Sequence, residues 1–559
     1  MSVIGGFLEL LGIAMIFPVI LVLTSSESAG GQLILNYFLK IFPNTPELKA
    51  AFILSLIMIG VFLFKNIFMM VYIKSQNNFV AKWADYVNSI VIKKLLHAPF
   101  NATSKLTYGD KDTLLSSIVR DISLDFVLRC IILLANGIVA LFIIGLLFYK
   151  FTLPAFLATV FILVFAYFEN NFFKNKAKAL GDIGVKLLSD LSSSVDFIIK
   201  SQKEIIISNR QEFFEKYLNS ASRKISDNFS KRISYGNYPL YVTEIGVILS
   251  FLIMITTIVF LDASSKSSII ASLAIISLII LRLVPQLNKV LISMYTINIT
   301  KQKVIWFLEK YNEISKFECE DYKNRESIDF QNEIKLENLK YQYESGRGIS
   351  DINLSIKRGE FIGIIGSSGA GKTTLADIIS GLNLKNSGSF SVDGIDINED
   401  NIYSYRKLIS LLPQESAFLD DTILKNIAWG EDAIDEDKAK QALNMAGLNL
   451  DINSSIKLSE GQKKRVALAR CYYRDFKILI LDEATSSLDI ETENTVFENI
   501  LKLKGQKTII AIAHRLATLK ECDRIVYLKE GKIQDIGTLQ ELKERNEEID
   551  RMLKMSSFD

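Results

Sequence analysis

Six apolar runs, at about residues 3–24, 50–73, 129–149, 152–170, 237–262 and 267–287, dominate the first 300 positions of the chain. Each is close to the roughly 20 residues that a helix needs to cross the hydrocarbon core of a bilayer. Inside lipid, a helix satisfies all its backbone polar groups within one segment, so runs of this kind leave little choice of structure. From about residue 330 the pattern changes to short apolar strands alternating with charged helical stretches, as in an α/β domain. The expected fold is an α-helical six-span membrane domain over 1–310, a linker over 311–329 and an α/β P-loop domain over 330–559.

An even number of spans brings both ends of the membrane half to one side. The stretches 93–129 and 171–235 are rich in Lys and Arg, whereas 25–49 carries only Lys40 and Lys49. The positive-inside rule therefore places the long basic loops, and the α/β half with them, in the cytoplasm. A signal peptide is the competing reading of the first run, but that run has no basic lead-in and holds Glu9 in its middle. Because it starts at Met1 with nothing polar before it, a short N-terminal segment is expected to be missing from this version of the chain. QLILNYFLKIF (32–42) is too short to cross and amphipathic enough to lie at the outer surface as an external helix.

Charge and cysteine usage exclude other classes. With 64 Lys and Arg against 62 Asp and Glu, the net charge of +2 gives no pull toward nucleic acid. Cys130, Cys319, Cys471 and Cys522 show no C-x-x-C spacing, which supports neither a disulfide framework nor a zinc site. His97, in KKLLHAPF at the end of a long helix, reads as a surface residue.

The chemistry lies in the second half. EFIGIIGSSGAGKTTLADIIS is an apolar strand, a glycine loop and a helix, and the loop fits G-x-x-x-x-G-K-[ST]. Gly366, Ser367, Ser368, Gly369, Ala370 and Gly371, followed by Lys372, Thr373 and Thr374, form the expected cradle for nucleotide phosphates. Lys372 would reach the β and γ oxygens, and Thr373 would hold Mg²⁺ through its hydroxyl. KILILDEATSSLD ends an apolar strand in two adjacent acids: Asp482 for the metal's shell, and Glu483 to orient and deprotonate the attacking water. A second anion site stands at KLSEGQKKR (457–465), where a helix start combines free N–H groups with a hydroxyl.

The motifs at 366–373, LLPQ with Gln414, LSEGQ at 458–462, LDE with Asp482 and Glu483, SSLD ending at Asp489, and AHR with His514 share one order and spacing. In that order they resemble the ATPase domain of ABC transporters. The resemblance implies ATP and Mg²⁺ as cofactors. It gives Tyr343 as the aromatic stacked on adenine, Gln414 as the metal-sensing residue coupled to the membrane half, His514 as a switch on the γ-phosphate, and Asp489 as a further nucleotide-site residue. Thr373, Gln414 and Asp482 form its metal set; Glu483, His514 and Gln414 form its catalytic set. It also gives an answer for the second anion site: Ser459, Gly461 and Gln462 of one copy meet the ATP held by Lys372 of another. The family's usual LSGGQ carries Glu460 at its third position here, and the Gly- and Glu-bearing stretch that commonly precedes it is lacking in GLNLDINSSIKLSEGQ.

Fusion of six spans N-terminal to one ATPase domain resembles exporter half-transporters, which implies a homodimer in a bacterial inner membrane and disfavours a soluble ABC ATPase acting on nucleic acid. The external helix at 32–42, IKSQKEIIISNRQEFFEKY (199–217) and LRLVPQLNKVLISMY (281–295) are similar to lipid-linked oligosaccharide flippases. Lys65 and Arg282 fall inside apolar runs, where a charge is expensive and usually faces a cavity or a partner. Glu9 can neutralise one of them, leaving the other for an anionic head group such as a polyprenyl pyrophosphate. A multidrug, lipid A-like lipid or peptide exporter is the alternative.

Overall fold

The computed structural model describes residues 47–150, 152–261, 266–315, 328–343, 346–455, 457–482, 490–513, 516–547 and 549. Two compact units emerge, one of Met1–Leu96 and Ala102–Lys316, the other of His97–Asn101 and Phe317–Asp559.

The first unit is helical: α1 (Glu47–His97), α2 (Leu128–Lys150), α3 (Thr152–Lys200), α4 (Gln211–Leu261) and α5 (Lys266–Ser315). Short helical turns fill the stretch between α1 and α2, two of them of π type. Helix α1 has 51 residues and α3 has 49. At about 1.5 Å per residue each is about 75 Å long, against a hydrocarbon core of about 30 Å. The apolar windows therefore occupy less than half of each helix, and the charged remainder runs on beyond the membrane. Among the described residues, Ser55–His97, Tyr108–Gly145, Leu153–Lys200 and Gln211–Phe260 are long and apolar enough to cross. These overlap the expected second to fifth spans. The sixth, 267–287, lies on α5, where most side chains up to 282 are outside the described set; the run at 3–24, Glu9 and the segment 32–42 are outside it altogether.

Small residues set the helix spacing in this unit. Ala155, Ala158 and Ala177 on α3 are buried, and a Cβ on Gly246 of α4 would come within 2.6 Å of the Phe165 ring. Without a water-driven hydrophobic effect between membrane helices, close backbone approach of this kind is a main source of cohesion. Beyond the apolar windows polar ties take over: Lys303 pairs with Asp121, and Asn228 Nδ2 donates to the Leu180 carbonyl at 3.2 Å.

The second unit is built on two sheets. β1 (Glu333–Gln342), β2 (Gly348–Lys357), β4 (Ser387–Val392) and β5 (Ile395–Asp396) form an antiparallel sheet of order β2-β1-β4-β5. β3 (Phe361–Ile365), β6 (Ile409–Leu412), β7 (Ile478–Asp482), β8 (Thr508–Ile512), β9 (Arg524–Lys529) and β10 (Lys532–Gly537) form the second, of order β10-β9-β3-β8-β7-β6. All its neighbours pair in parallel except β10 with β9. FIGII and TIIAI are buried along their whole length, as expected of parallel strands covered on both faces. Around the sheets stand α6 (Lys372–Ile379), α7 (Ile423–Ala428), α8 (Glu436–Met445), α9 (Glu460–Tyr473) and α10 (Ile490–Leu501). Helices α7 to α9 form a helical subdomain over the stretch near 420–470.

Candidate nucleotide site

The register of the parallel sheet gathers the motifs. Gly363, Ala511, Leu481 and Leu412 pair in one row across β3, β8, β7 and β6, and Ile364, Ile512 and Asp482 form the next. Gly366 stands two residues beyond Ile364, and Gln414 two beyond Leu412. The glycine loop, Asp482 and Gln414 thus lie along one line at the carboxyl ends of adjacent strands, where open α/β sheets bind their ligands.

Two glycines of the loop are dictated by geometry. Gly366 has φ of 155°, and a Cβ there would stand 2.3 Å from the Leu528 carbonyl oxygen. Gly371 has φ of 101°, in the left-handed region, and a Cβ would meet Ile349 Cγ2 at 2.7 Å. Gly371 is also the N-cap of α6, so the first N–H groups of the helix have no partner within the helix itself and lie beside the loop. Lys372 is only 8% exposed, and its ammonium donates to the carbonyls of Gly366 (2.8 Å) and Ser367 (3.0 Å). A cation held this way and a helix N-terminus converge on one small volume, which suits a polyphosphate. Ser367, Ser368 and Gly369 are exposed along the loop, Ala370 is buried, Thr373 is exposed and Thr374 half-buried. The hydroxyl of Thr373, the amide oxygen of Gln414 and the carboxylate of Asp482 are hard oxygen donors of the kind Mg²⁺ takes.

Asp377, one turn further along α6, is an acid the sequence reading passed over. Burial, with a smaller contribution from the nearby Asp482 carboxylate, pushes its carboxyl from the usual 3.8 up to about 6. Since the folded value lies above the unfolded one, its contribution to stability is present in full below about pH 3.8 and is lost as pH rises through about 6. Asp377→Asn is expected to raise the melting temperature at pH 7 to 8 in protein kept free of nucleotide and Mg²⁺. The gain should shrink toward pH 5, and thermal unfolding across that range checks it.

Tyr343 follows β1, is 36% exposed and stands edge-on to Tyr341 with ring centroids 5.0 Å apart. An exposed aromatic face at the end of a strand can receive a base.

The second anion site takes the form of a capped helix. Ser459 is the N-cap of α9; its Oγ accepts from the Gln462 N–H (3.3 Å) while Gln462 Oε1 accepts from the Ser459 N–H (2.9 Å). This capping box fixes the first turn, and because the Ser459 oxygen accepts, its hydroxyl hydrogen stays available to an external acceptor. Gly461 is half-buried in that turn. The short stretch ahead of the motif is tied to α7: Ile423 N–H donates to Ser454 O (3.0 Å) and Leu424 N–H to Ile452 O (2.8 Å). Ser459 heads the helical subdomain and is not on the strand-end row that carries the glycine loop.

Arg470, on the inner side of α9, was also not singled out in the sequence. Its guanidinium stacks on the Trp429 ring at 3.6 Å and donates to the carbonyls of Asn426 (2.9 Å) and Ala417 (3.1 Å). It thereby ties α9 to the segment leading from Gln414.

Glu483, Asp489 and His514 lie outside the described residues. So does the side chain of Arg282. Lys65 is 8% exposed, with its ammonium 5.3 Å from the Phe62 ring centre.

These features define a P-loop ATPase domain joined to a helical membrane unit. The sequence profile described as ABC transporter matches residues 349–486. The ATP-dependent lipid A-core flippase of Wigglesworthia glossinidia brevipalpis is 30% identical over 431 residues, 72% of this chain and 72% of its own. The protein of that name from Desulfotalea psychrophila is 37% identical over 225 residues, 38% of this chain and 39% of its own. The beta-(1→2)glucan export ATP-binding/permease protein NdvA of Agrobacterium vitis is 32% identical over 248 residues, covering 42% of each chain. The matches to these last two span well under half the length of those relatives. In fold, the chain is similar to a bacterial Atm1-family ABC exporter solved with ATP bound, with a TM-score of 0.79 over 97% of both chains at 19% identity. The chain belongs to the ABC transporter family.

Proposed function

We propose that this protein is an ATP-driven exporter or flippase that works as a dimer of identical chains in a bacterial inner membrane, with residues 330–559 as the cytoplasmic ATPase domain. The strand-end row that aligns the glycine loop, Gln414 and Asp482 carries this reading. ATP and Mg²⁺ bind on that row, with Tyr343 on the base and Lys372 on the phosphates. Ser459, Gly461 and Gln462 of the partner copy complete the site from the other side. Glu483 deprotonates the attacking water, while His514 and Asp489 act at the γ-phosphate end. Closure of two ATPase domains on ATP turns the membrane helices outward, and hydrolysis resets them.

The cargo we propose is a lipid-linked oligosaccharide on a polyprenyl pyrophosphate. Relatives named for lipid A-core flipping and for glucan export support a lipid- or glycan-bearing cargo. Lys65 and Arg282 supply cations for the pyrophosphate at membrane depth, where a charge needs a counter-charge or a cavity. In proteoliposomes, ATP should drive lipid-linked glycan across the bilayer and the glycan should stimulate hydrolysis. Arg282→Ala is expected to lower translocation by at least about tenfold, the equivalent of one lost ionic contact of about 1.4 kcal/mol. Normal translocation by that variant, or stimulation by apolar drugs alone, would favour a multidrug exporter instead.

A further inference from the structure

A cavity of about 250 Å³ lies within the helical unit, among α2, α3, α4 and α5. Its wall is almost wholly apolar, with Leu147, Phe165 and Met254 among the lining residues, and one acid, Glu169, is set into it. Glu169 is 6% exposed. A carboxylate taken out of water at membrane depth is costly unless something answers its charge. Thr243 Oγ1 stands 3.3 and 3.4 Å from its two oxygens, but the same hydroxyl is 2.6 Å from the Pro239 carbonyl. A hydroxyl has one hydrogen. The shorter contact takes it, so Thr243 leaves the carboxylate without a full-strength donor. Ser250, also on the wall, spends its hydrogen on the Val247 carbonyl at 2.7 Å.

The position of the acid is as informative as its burial. Glu169 lies 17 residues along α3 from Thr152, or about 25 Å at helical rise, near the end of the apolar run and beside the charged extension of the helix. The cavity above it extends toward Leu147 and Met254. An apolar chamber deep in the bilayer with one anion at its interfacial end has the polarity of an amphiphile inverted in charge.

We propose that this cavity binds a small lipophilic ammonium compound, its cation on Glu169 and its apolar part among the four helices. The site shares no residue with the ATP row, and since a carboxylate in an apolar wall repels a pyrophosphate, it is a different site from the one proposed for the pyrophosphate. Burial of the tail contributes through apolar area, and the cation contributes by answering the Glu169 carboxylate, which forms no ion pair among the described residues.

The probe is octyltrimethylammonium, compared with its uncharged carbon isostere, on the full chain in lipid nanodiscs. Dicyclohexylcarbodiimide, an apolar reagent for carboxyl groups, should label Glu169, as read by peptide mass spectrometry. Octyltrimethylammonium should protect Glu169 at a concentration at least about tenfold lower than the isostere. Ala166→Phe, which fills the cavity from α3, should raise that protective concentration by a similar factor. Octyltrimethylammonium should also raise the melting temperature of the wild type, and Glu169→Gln should need at least about tenfold more of it for the same rise. Equal protection by the isostere, or equal thermal response of wild type and Glu169→Gln, would overturn the proposal and leave an apolar cavity without ion recognition.

Discussion

Replacing Glu483 with Gln is expected to lower ATP hydrolysis by about 10²–10⁴-fold, the range that general-base catalysis contributes, while leaving ATP binding in place. The amide keeps the size of the side chain and can still hold a water, but it cannot take the water's proton at neutral pH. Asp482, Lys372 and the glycine loop are untouched, so the phosphates and metal keep their contacts. A steady-state hydrolysis assay beside an equilibrium ATP-binding measurement checks both halves. Loss of binding in step with turnover would move Glu483 from base to structural support. The strand that delivers it is fixed by pairing on both sides, Leu481 against Leu412 and Ala511.

Ser459→Asp separates capping from catalysis. Asp is as good an N-cap as Ser, so α9 keeps its first turn and the melting temperature should stay within a degree or two. In the proposed shared site, however, the new carboxylate would face the γ-phosphate of the partner's ATP. Two like charges a few ångströms apart in a water-poor interface are expected to cost several kcal/mol, enough to cut hydrolysis by about 10²-fold or more. Ser459→Thr keeps the hydroxyl and should retain most of the rate. If Ser459→Asp hydrolyses ATP normally, the capped helix is a structural start and not part of an ATP site.

Much of this arrangement was legible in the sequence because its rules are local. The spacing from Gly366 to Thr373 encodes a loop whose dihedral angles glycine alone adopts without strain, and the structure finds Gly366 and Gly371 in those conformations. The apolar windows likewise announce helices that run on past the bilayer, and α1, α3, α4 and α5 do so. What stayed hidden depends on contacts between distant segments. Asp377 looks like an ordinary helix residue until the fold brings it near Asp482. Arg470 looks like a surface cation until α7 and Trp429 come under it. Glu169 sits near the end of an apolar run, where a solvated interfacial acid is the simpler reading, until α4 brings Thr243 against it.

The shared ATP site is the centre of the account, and cross-linking two differently tagged copies tests it most directly. One copy carries Ser368→Cys in the glycine loop, the other Ser459→Cys at the head of α9, both with Glu483→Gln to hold ATP. Two groups that bracket one phosphate at hydrogen-bond distance lie roughly 6–8 Å apart, within reach of a short thiol-specific linker. A covalent dimer containing both tags should form with ATP and Mg²⁺ and be lost when nucleotide is omitted. A cross-link that ignores nucleotide, or none at all with both copies intact, would contradict the shared site.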